Sequence, residues 1–448
     1  MISMRNRTLL AGLLILFVSM TSCVKKIETD LKSKLETRPA WPETRFIVMS
    51  DLHYYDPALG ISGKAFQEYV ADDRKLLKES QEILTQAISD VSKETADFVI
   101  ICGDLTKDGE MVTHTAVARY LGILKQSGKA VYVIPGNHDV ANGMAVKYTG
   151  DKSERVPNIS AEQFTEIYAP FGYQAALDRD RHSLSYLAEP KPGLWLLALD
   201  SCRWKENPAQ GHPVTGGVFS ADTMSWIKDI LTRAKNENKA VLAMMHHGVL
   251  EHYPTNEKNY PEYLVKDYDK IARMFAGYGV PLVFTGHFHA QDITEKTYEG
   301  GKLFVFDVET GSLVTYPCPY RIVTITKDQQ ADIQSRFVMS IPSHPNDFRE
   351  FAERYVYEGT INMANDALTG YHVAPADQKI ISPQISRAYV THLKGDEQKP
   401  AVVRNTDGLS LWGSFIFFMR GSLIEGWWTD LPPQDNHVNI NLITGEVS

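Results

Sequence analysis

The chain has 448 residues, of which 43% are hydrophobic and 23% are charged. This balance is typical of a large globular protein with a full hydrophobic core, and it excludes a fibrous or wholly disordered chain. The 46 basic and 55 acidic residues give a formal net charge of −9. Such a chain lacks the basic surface that binding to a nucleic-acid backbone requires, so we expect no duplex nucleic acid among its partners.

The amino terminus has the three parts of an export signal. Arg5 and Arg7 precede an apolar run over residues 9–20, and small residues lead from there to Cys23. The run is shorter than the ~20 apolar residues of a comfortable transmembrane span. The string MTSC is similar to a bacterial lipobox, in which the cysteine is lipidated, although methionine stands where leucine is usual. We therefore expect a lipoprotein-type signal peptide over residues 1–22 and a membrane-anchored protein on the extracytoplasmic side of a bacterial membrane; an uncleaved signal anchor is the alternative.

Residues 23–43 are charged and contain two prolines, as a tether would. Short apolar runs follow and predict strands that are covered on both faces. The runs are FIVMS (46–50), FVIIC (98–102), AVYVI (130–134), AVLAMM (240–245) and PLVF (281–284). Helical spacing of apolar residues predicts helices over 72–93 and over 114–127, the second ended by Gly128. Alternation of strand and helix predicts an α/β core.

A polar string follows each of these strands. The strings are SDLH (50–53), GD (103–104), GNHD (136–139), MHHG (245–248) and GHFH (286–289). Residues that follow the strands of an α/β fold collect at one edge of the sheet, so we expect these side chains to meet. Carboxylates, an amide oxygen and imidazoles suit zinc, manganese or iron. Because they are too many for one ion, we predict a dinuclear centre whose candidate ligands are Asp51, His53, Asp104, Asn137, His246, His287 and His289.

Other segments of this unit are expected to shape the site. Residues 148–173 look like an insertion with a helical piece, and GLWLLALDS (193–201) predicts a further core strand. Loops that follow catalytic strands usually form the substrate pocket. Asn142, His252 and Tyr253 are therefore candidates for substrate contact, and ordinary surface-loop residues are the alternative interpretation.

The pattern changes beyond Lys327. Residues 346–366 and 382–393 have helical character, and residues 437–442 alternate like a strand with one polar face. We expect a catalytic unit over 44–327 and a smaller, mainly helical module over 328–448. A concentration of aromatic residues predicts packing between the two, or alternatively a wall over the metals that stacks on a base or sugar. Its members are Trp412, Phe415, Phe417, Phe418, Trp427 and Trp428.

The motif order DxH, GD, GNHD, HH and GHxH resembles the calcineurin-like metallophosphoesterase superfamily over about residues 44 to 320. The resemblance implies a four-layer α-β-β-α sandwich in which Asp104 bridges the two ions. It implies that Asp51, His53, Asp104 and His289 hold the first ion and that Asp104, Asn137, His246 and His287 hold the second. His247 would then pack or hydrogen-bond behind His246. By the same resemblance His138 orients the phosphate or protonates its leaving group, Asp139 sets the tautomer of His138, and Asp108 is an acid of the outer shell.

Within that superfamily the motifs are most similar to the bacterial class III cyclic nucleotide phosphodiesterases. This implies that a hydroxide bridging two manganese, iron or zinc ions hydrolyses a small phosphoester, cyclic nucleotides or other small nucleotides above all. The alternative enzyme is a phosphomonoesterase or nucleotidase. A surface binding lipoprotein with a structural metal site is the alternative from another class.

Overall fold

The computed structural model describes residues 38–71 and 73–448. The predicted signal peptide and Cys23 lie outside these residues, and the predicted tether is described only from residue 38 onward. The strands are β1 (Thr44–Met49), β2 (Phe98–Ile101), β3 (Ala130–Val133), β4 (Val146–Thr149), β5 (Lys152–Arg155), β6 (Asp178–Arg179), β7 (Tyr186–Lys191), β8 (Leu194–Leu199), β9 (Ala240–Met245), β10 (Leu282–Thr285), β11 (Asp292–Tyr298), β12 (Leu303–Glu309), β13 (Pro319–Ile325), β14 (Gln330–Phe337) and β15 (His437–Asn441). The α-helices are α1 (Lys64–Ala71), α2 (Ser80–Lys93), α3 (Met111–Gln126), α4 (Ala161–Ile167), α5 (Asn207–Gln210), α6 (Ala221–Asn236), α7 (Asn256–Asn259), α8 (Tyr268–Tyr278), α9 (Phe348–Gly370), α10 (Pro375–Lys394), α11 (Leu411–Met419) and α12 (Gly421–Trp427).

The first sheet contains the first three of the predicted buried strands. Its strand order is β15-β14-β13-β1-β2-β3. β1, β2 and β3 lie parallel, with Phe46 opposite Phe98 and Phe98 opposite Ala130. Every side chain of β2 is buried, as expected for a strand that is covered on both faces. Polar residues that follow these parallel strands therefore meet at one edge of the sheet.

The second sheet contains the other predicted buried strands. Its strand order is β11-β12-β10-β9-β8-β7-β6; β8, β9, β10 and β12 run parallel to one another, whereas β11 and β7 are antiparallel to the strands beside them. The predicted runs 193–201, 240–245 and 281–284 correspond to β8, β9 and β10. All residues of these three strands are buried.

The two sheets pack face to face. The ring of Phe46 on β1 meets the ring of Phe284 on β10 edge to face, with centroids 5.4 Å apart. The Sγ of Cys102, after β2, lies 3.5 Å from the carbonyl oxygen of Phe284. Outside the first sheet α2 packs on α3 and α3 on β3, whereas α6 and α8 contact β9 and β12 of the second sheet. This layering confirms the predicted four-layer α-β-β-α sandwich.

Two predicted helices have different bounds in the structure. The helix predicted over 72–93 is α2, which begins only at Ser80; residue 72 itself lies outside the described residues. The backbone N–H of the fully buried Leu76 donates to the carbonyl oxygen of Val314 at 2.7 Å. This long-range hydrogen bond holds the segment before α2 in turns. The helix predicted over 114–127 is α3 and begins at Met111. The insertion 148–173 contains the predicted helical piece, α4, after the hairpin β4–β5.

The strands that follow residue 327 continue the first sheet. β14 pairs with β13 and β15 pairs with β14, both antiparallel. A division after Lys327 would therefore cut between paired strands, and Trp41–Ser448 forms one compact unit. The rest of the carboxy-terminal region is helical, as predicted. Its second helix, α10, begins at Pro375 rather than at residue 382, because proline is well tolerated in the first turn of a helix.

In the part of the chain that the structure describes, no helix has the length and apolarity that a membrane crossing needs.

Candidate metal centre

Loops after β1 and β10 bring the first group of predicted ligands together. Asp51 and His53 follow β1, and His289 follows β10. His53 Nε2 lies 3.1 Å from His289 Nε2, which in turn lies 3.4 Å from Asp51 Oδ1. One ligand atom from each of the three residues falls within 4.8 Å of the others. This spacing suits donors that surround a single cation.

The second group comes from four different strand ends. Asp104 follows β2, His246 follows β9 and His287 follows β10, and their ligand atoms also lie within 4.8 Å of one another. Asn137, after β3, joins this group through its Oδ1, which is 3.1 Å from His246 Nε2. All four side chains are buried. His246 Nδ1 lies 2.8 Å from the carbonyl oxygen of Cys102, and donation to that oxygen leaves the lone pair of Nε2 facing the group.

Asp104 lies between the two groups. Its Oδ2 is 3.4 Å from His53 Nε2 and 3.5 Å from His246 Nε2. Its Oδ1 accepts the backbone N–H of His138 at 2.9 Å, which fixes the orientation of the carboxylate. One carboxylate oxygen that reaches both groups is the arrangement that a bridging ligand requires.

Five of the predicted ligands have backbone conformations that residues other than glycine rarely adopt. The φ angle is 50° at Asp51, 34° at His53, 47° at Asp104, 79° at His287 and 74° at His289. Each such conformation costs ~1–3 kcal/mol and persists where the surrounding structure enforces it, most often at functional sites. Their concentration in these loops indicates that the loops are shaped for ligand placement rather than for stability.

Two motif glycines make room for the carboxylates. A Cβ added at Gly136 would lie 2.1 Å from Asp104 Oδ1, and one added at Gly286 would lie 1.9 Å from Ser50 Oγ and 2.4 Å from Asp51 Oδ2. Contacts this short cannot be tolerated. The glycines of GNHD and GHFH are therefore required by the close approach of these loops to the acidic residues.

The donor set fits metal ions. Asp51 Oδ1 and His287 Nε2 are buried without a hydrogen-bond partner among the described residues, although buried polar groups are nearly always paired. Burial holds the pKa of His53 and of His287 well below the usual range, so both imidazoles are neutral and offer lone pairs. Neutral imidazoles, carboxylates and an amide oxygen that converge on one space are suitable ligands for first-row transition metals.

His247 lies behind the second group, as predicted. Its Nδ1 is 2.7 Å from Ser201 Oγ, and its Nε2 is 2.8 Å from the carbonyl oxygen of Thr215. Both ring nitrogens are therefore engaged within the protein. His246, not His247, is the histidine of the pair that reaches the candidate ligands.

His138 lies at the opening of the site. Its side chain is 23% exposed, whereas those of Asp104 and Asp108 are almost fully buried. His138 Nδ1 lies 2.9 Å from Asp108 Oδ1, which orients the ring and leaves Nε2 available. Burial opposes protonation of His138, but the charge of Asp104 and the hydrogen bond to Asp108 outweigh it and raise its pKa.

Asp139 does not orient His138, and this part of the prediction needs correction. Its Oδ1 accepts the backbone N–H and the hydroxyl of Thr106 at 3.0 and 2.9 Å. Its Oδ2 accepts the backbone N–H groups of Leu105 and Gly136 at 3.0 and 2.8 Å. Asp139 thus ties the GD loop to the GNHD loop, and Asp108 takes the orienting role because its carboxylate is the one that reaches the ring.

A buried lysine that the sequence pattern did not reveal completes this network. Lys107 is fully buried and forms an ion pair with Asp108. Its Nζ lies 4.2 Å from the ring centroid of Tyr69, and the rings of Tyr55 and Tyr148 lie at 5.4 and 5.7 Å. Burial opposes its charge, but Asp108 outweighs burial and raises the pKa of Lys107. The three tyrosines come from separate segments, so no local pattern predicts this environment.

The residues predicted to contact substrate are buried within the protein. Asn142 Nδ2 donates to the carbonyl oxygen of His138 at 3.0 Å, so Asn142 braces the GNHD loop. His252 Nδ1 lies 2.6 Å from Asp292 Oδ1, and Tyr253 is fully buried. These positions do not support direct contact with substrate, because the loop after β9 folds inward instead of lining an open surface.

Other groups near the ligands were not predicted. The half-buried ring of Tyr263 lies with its centroid 4.6 Å from that of His287. Lys75, also half-buried, is close enough for its charge to help lower the pKa of His53 after the larger effect of burial. Tyr263 and Lys75 come from distant loops, and neither belongs to a motif.

The carboxy-terminal aromatic residues divide into two sets. Phe417, Trp427 and Trp428 are buried, as the packing interpretation predicts, whereas Trp412, Phe415 and Phe418 on α11 are exposed. Trp427 stacks on Tyr260 with ring centroids 6.3 Å apart and planes 9° apart. The packing interpretation therefore applies to the first set alone.

Comparison with known proteins gives matches that include the motif loops. The family described as calcineurin-like phosphoesterase matches residues 44–291. The uncharacterized metallophosphoesterase-like protein YydB of Bacillus subtilis is 24% identical over 283 residues, which are 57% of this chain and 51% of that protein. The 3',5'-cyclic adenosine monophosphate phosphodiesterase CpdA of Haemophilus influenzae is 24% identical over 216 residues, 47% of this chain and 62% of that protein. Sphingomyelin phosphodiesterase 2 of Caenorhabditis elegans is 24% identical over 250 residues, 51% of this chain and 38% of that protein.

The chain spans less than two thirds of the length of each of these relatives. The family match, in contrast, covers more than half of the chain and includes all five motifs. Both groups of candidate metal ligands lie within it. The chain therefore belongs to the calcineurin-like phosphoesterase family.

Proposed function

We propose that this chain hydrolyses phosphodiesters with the help of two manganese, iron or zinc ions. The observation that carries the proposal is the convergence of two groups of donors on Asp104, whose Oδ2 lies within 3.5 Å of one histidine nitrogen of each group. Family membership supports a phosphoester hydrolase. The proposed ligands are Asp51, His53, Asp104 and His289 for one ion and Asp104, Asn137, His246 and His287 for the other.

When bound, two such ions supply Lewis-acid polarisation of the phosphoryl group and lower the pKa of water at the site. The protein's own side chains transfer a proton and orient the group that donates it. In this proposal His138 donates the proton on Nε2 to the oxygen of the leaving group, and Asp108 holds Nδ1 and stabilises the charged ring. An alkoxide is a poor leaving group unless it is protonated, so this proton is most useful for esters of ordinary alcohols.

Three observations support a small nucleotide diester as substrate. Two of the relatives are named as phosphodiesterases, one of them for cyclic adenosine monophosphate. Tyr263 places a half-buried aromatic ring beside His287, and such a ring can stack on a base. Lys75 adds a positive charge near His53, which favours an anionic phosphate.

The test compares hydrolysis of bis-(p-nitrophenyl) phosphate with that of p-nitrophenyl phosphate, with and without added manganese, and then measures turnover of cyclic nucleotides. We expect a higher kcat/KM for the diester. Asp104→Asn should abolish turnover, whereas Asp332→Asn, which changes an acid paired with His437 at the surface of β14, should retain it. Preference for the monoester would favour a nucleotidase. No turnover of either ester by the metal-loaded protein would favour a surface binding protein with a structural metal site.

We also propose, from the sequence pattern, that the protein is exported and lipid-anchored at Cys23. Cys23→Ser should release the protein from membranes or leave its signal unprocessed, without changing hydrolysis by the purified protein, since all the proposed ligands lie within residues 51–289. Cys202→Ser serves as the matched control and should remain in the membrane fraction. Native protein that is soluble in the cytoplasm with its first 22 residues intact would contradict the proposal.

A further inference from the structure

A second cluster of candidate metal ligands lies directly beyond the GHFH loop. Asp292 is the first residue of β11, His392 lies near the end of α10, and Glu397 lies in the loop after α10. The three residues are buried and offer ligand atoms within 4.8 Å of one another. His392 Nδ1 lies 2.5 Å from Glu397 Oε1. None of the three belongs to the family motifs.

Two polar atoms of this cluster have no partner. Glu397 Oε2 and His392 Nε2 are buried without a hydrogen bond among the described residues. The side chains of Glu397 and His392 are 1% and 0% exposed, so solvent does not satisfy these atoms. An unpaired buried polar group costs ~1–3 kcal/mol, and more when it is charged. Native structures rarely retain such atoms unless a bound species satisfies them.

The surroundings of the cluster contain more acidic than basic groups. Three basic groups, His252, His392 and Arg321, interact with this region. Five buried carboxyl groups interact with it: Asp292, Asp307, Glu309, Glu397 and Asp435. With all five carboxyl groups ionised and both imidazoles protonated, five acids minus three bases leave an excess of two negative charges. Burial of uncompensated charge is costly, and two charges are what one divalent cation neutralises.

One nearby basic group, His252, pairs with Asp292 of the cluster, and another, Arg321, binds backbone oxygens. His252 Nδ1 lies 2.6 Å from Asp292 Oδ1, and the guanidinium of Arg321 donates to backbone carbonyl oxygens rather than to carboxylates. Neither of them reaches Glu397.

We propose that Asp292, His392 and Glu397 bind a further divalent metal ion of the zinc class. One imidazole and two carboxylates form a borderline donor set that suits zinc. The ion would join the end of α10 to the start of β11 and thereby hold the loop that carries His287 and His289. Its three residues are distinct from the ligands of the two-ion centre, and binding of a metal ion by them does not require the proposed phosphodiesterase activity.

Elemental analysis of the full chain after reconstitution with zinc tests the proposal. We expect wild type to retain three ions per chain, which is one more than the two-ion centre can hold. Glu397→Gln and His392→Gln should each lose one ion per chain and keep the other two, whereas Asp104→Asn should lose ions of the two-ion centre and keep this one. Glu425→Gln, which removes a carboxylate paired with Arg404, is the matched control and should keep the wild-type count.

A wild-type count of two ions that is unchanged in Glu397→Gln would overturn the proposal. If the variants do not fold, anomalous diffraction at the zinc edge from wild-type crystals decides the question. A peak between Asp292, His392 and Glu397 supports the site. Absence of that peak from crystals that show zinc at the two-ion centre refutes it, and the cluster is then held by protonated carboxyl groups. Absence of diester hydrolysis with the additional peak present would refute the proposed function alone.

Discussion

Replacing Asp108 by asparagine tests the network behind His138. The Asp108 carboxylate lies 2.9 Å from His138 Nδ1 and forms an ion pair with the buried Lys107. Asparagine keeps the size of the side chain and an acceptor oxygen, but it removes the charge that stabilises the protonated imidazole. A hydrogen bond to a charged group contributes about 1.5–3 kcal/mol. Loss of that amount from the transition state lowers kcat by about 10- to 100-fold, the usual effect of outer-shell partners.

The same substitution leaves Lys107 without its counterion. Removal of one partner of a buried ion pair costs about 3–5 kcal/mol, and the contact of Lys107 with Tyr69 offsets about 1 kcal/mol of that. We therefore expect the free energy of unfolding of Asp108→Asn to fall by about 2–4 kcal/mol. Adding Lys107→Met should restore much of this stability, because it removes the unpaired charge. The double variant should remain slow, because His138 still lacks its carboxylate.

The measurements are kcat and KM with 3',5'-cyclic adenosine monophosphate, whose leaving group is an alkoxide that needs a proton, together with metal content and urea unfolding of the two single variants, the double variant and Asp332→Asn as control. Orientation of His138 by Asp108 predicts a lower kcat with full metal content in both variants that lack Asp108. A wild-type kcat in Asp108→Asn would refute this reasoning. Recovery of rate together with stability in the double variant would show that Asp108 acts on folding alone.

His138→Ala should lower turnover by ~10²- to 10⁴-fold while retaining both ions, as measured by kinetics and elemental analysis; loss of metal would identify His138 as a ligand instead. Asp104→Asn should lower the occupancy of both metal positions, because the Oδ2 of Asp104 reaches both groups of ligands. Loss of metal from one position alone would contradict the bridging role of Asp104. Burial lowers the pKa of His114 to about 3 in the folded protein, whereas the unfolded value is about 6.5. Below pH 6.5 the unfolded chain therefore binds a proton that the native state does not, and stability falls as the pH drops towards 3. Between pH 7 and pH 5 this group accounts for a loss of about 2 kcal/mol, which His114→Gln should remove from the urea-unfolding difference; an unchanged pH dependence would show that His114 is not responsible.

The local sequence pattern was sufficient to predict the strands and to identify the candidate ligands. A parallel strand that is covered on both faces must be apolar throughout, so β2 and β9 are visible as uninterrupted runs. Each run ends in a polar string, and the rule that such strings meet at one sheet edge depends only on the direction of the strands. Asp51 and His289 could therefore be placed together although 238 positions separate them in the printed chain (289 minus 51).

Contacts between side chains within a loop were not predictable in the same way. Asp139 follows His138 in the chain and was expected to orient it, but its carboxylate accepts three hydrogen bonds from the GD loop and one from Gly136 of its own loop. Asp108, 30 positions away, reaches the ring instead. Which carboxylate contacts a given ring depends on side-chain direction and on the packing of the loops, and sequence adjacency carries little of that information.

Which side chains are buried was decided by packing between segments that are distant in sequence. His252 follows the HH motif and resembled a residue of an open pocket, yet it is buried against acids of β11 and β12. His392 and Glu397 lie in a region without a motif, and the fold brings them to Asp292. A side chain's exposure and charge environment arise from segments that are distant in sequence and meet only when the sheets and the carboxy-terminal helices pack, so no single stretch of this chain encodes them.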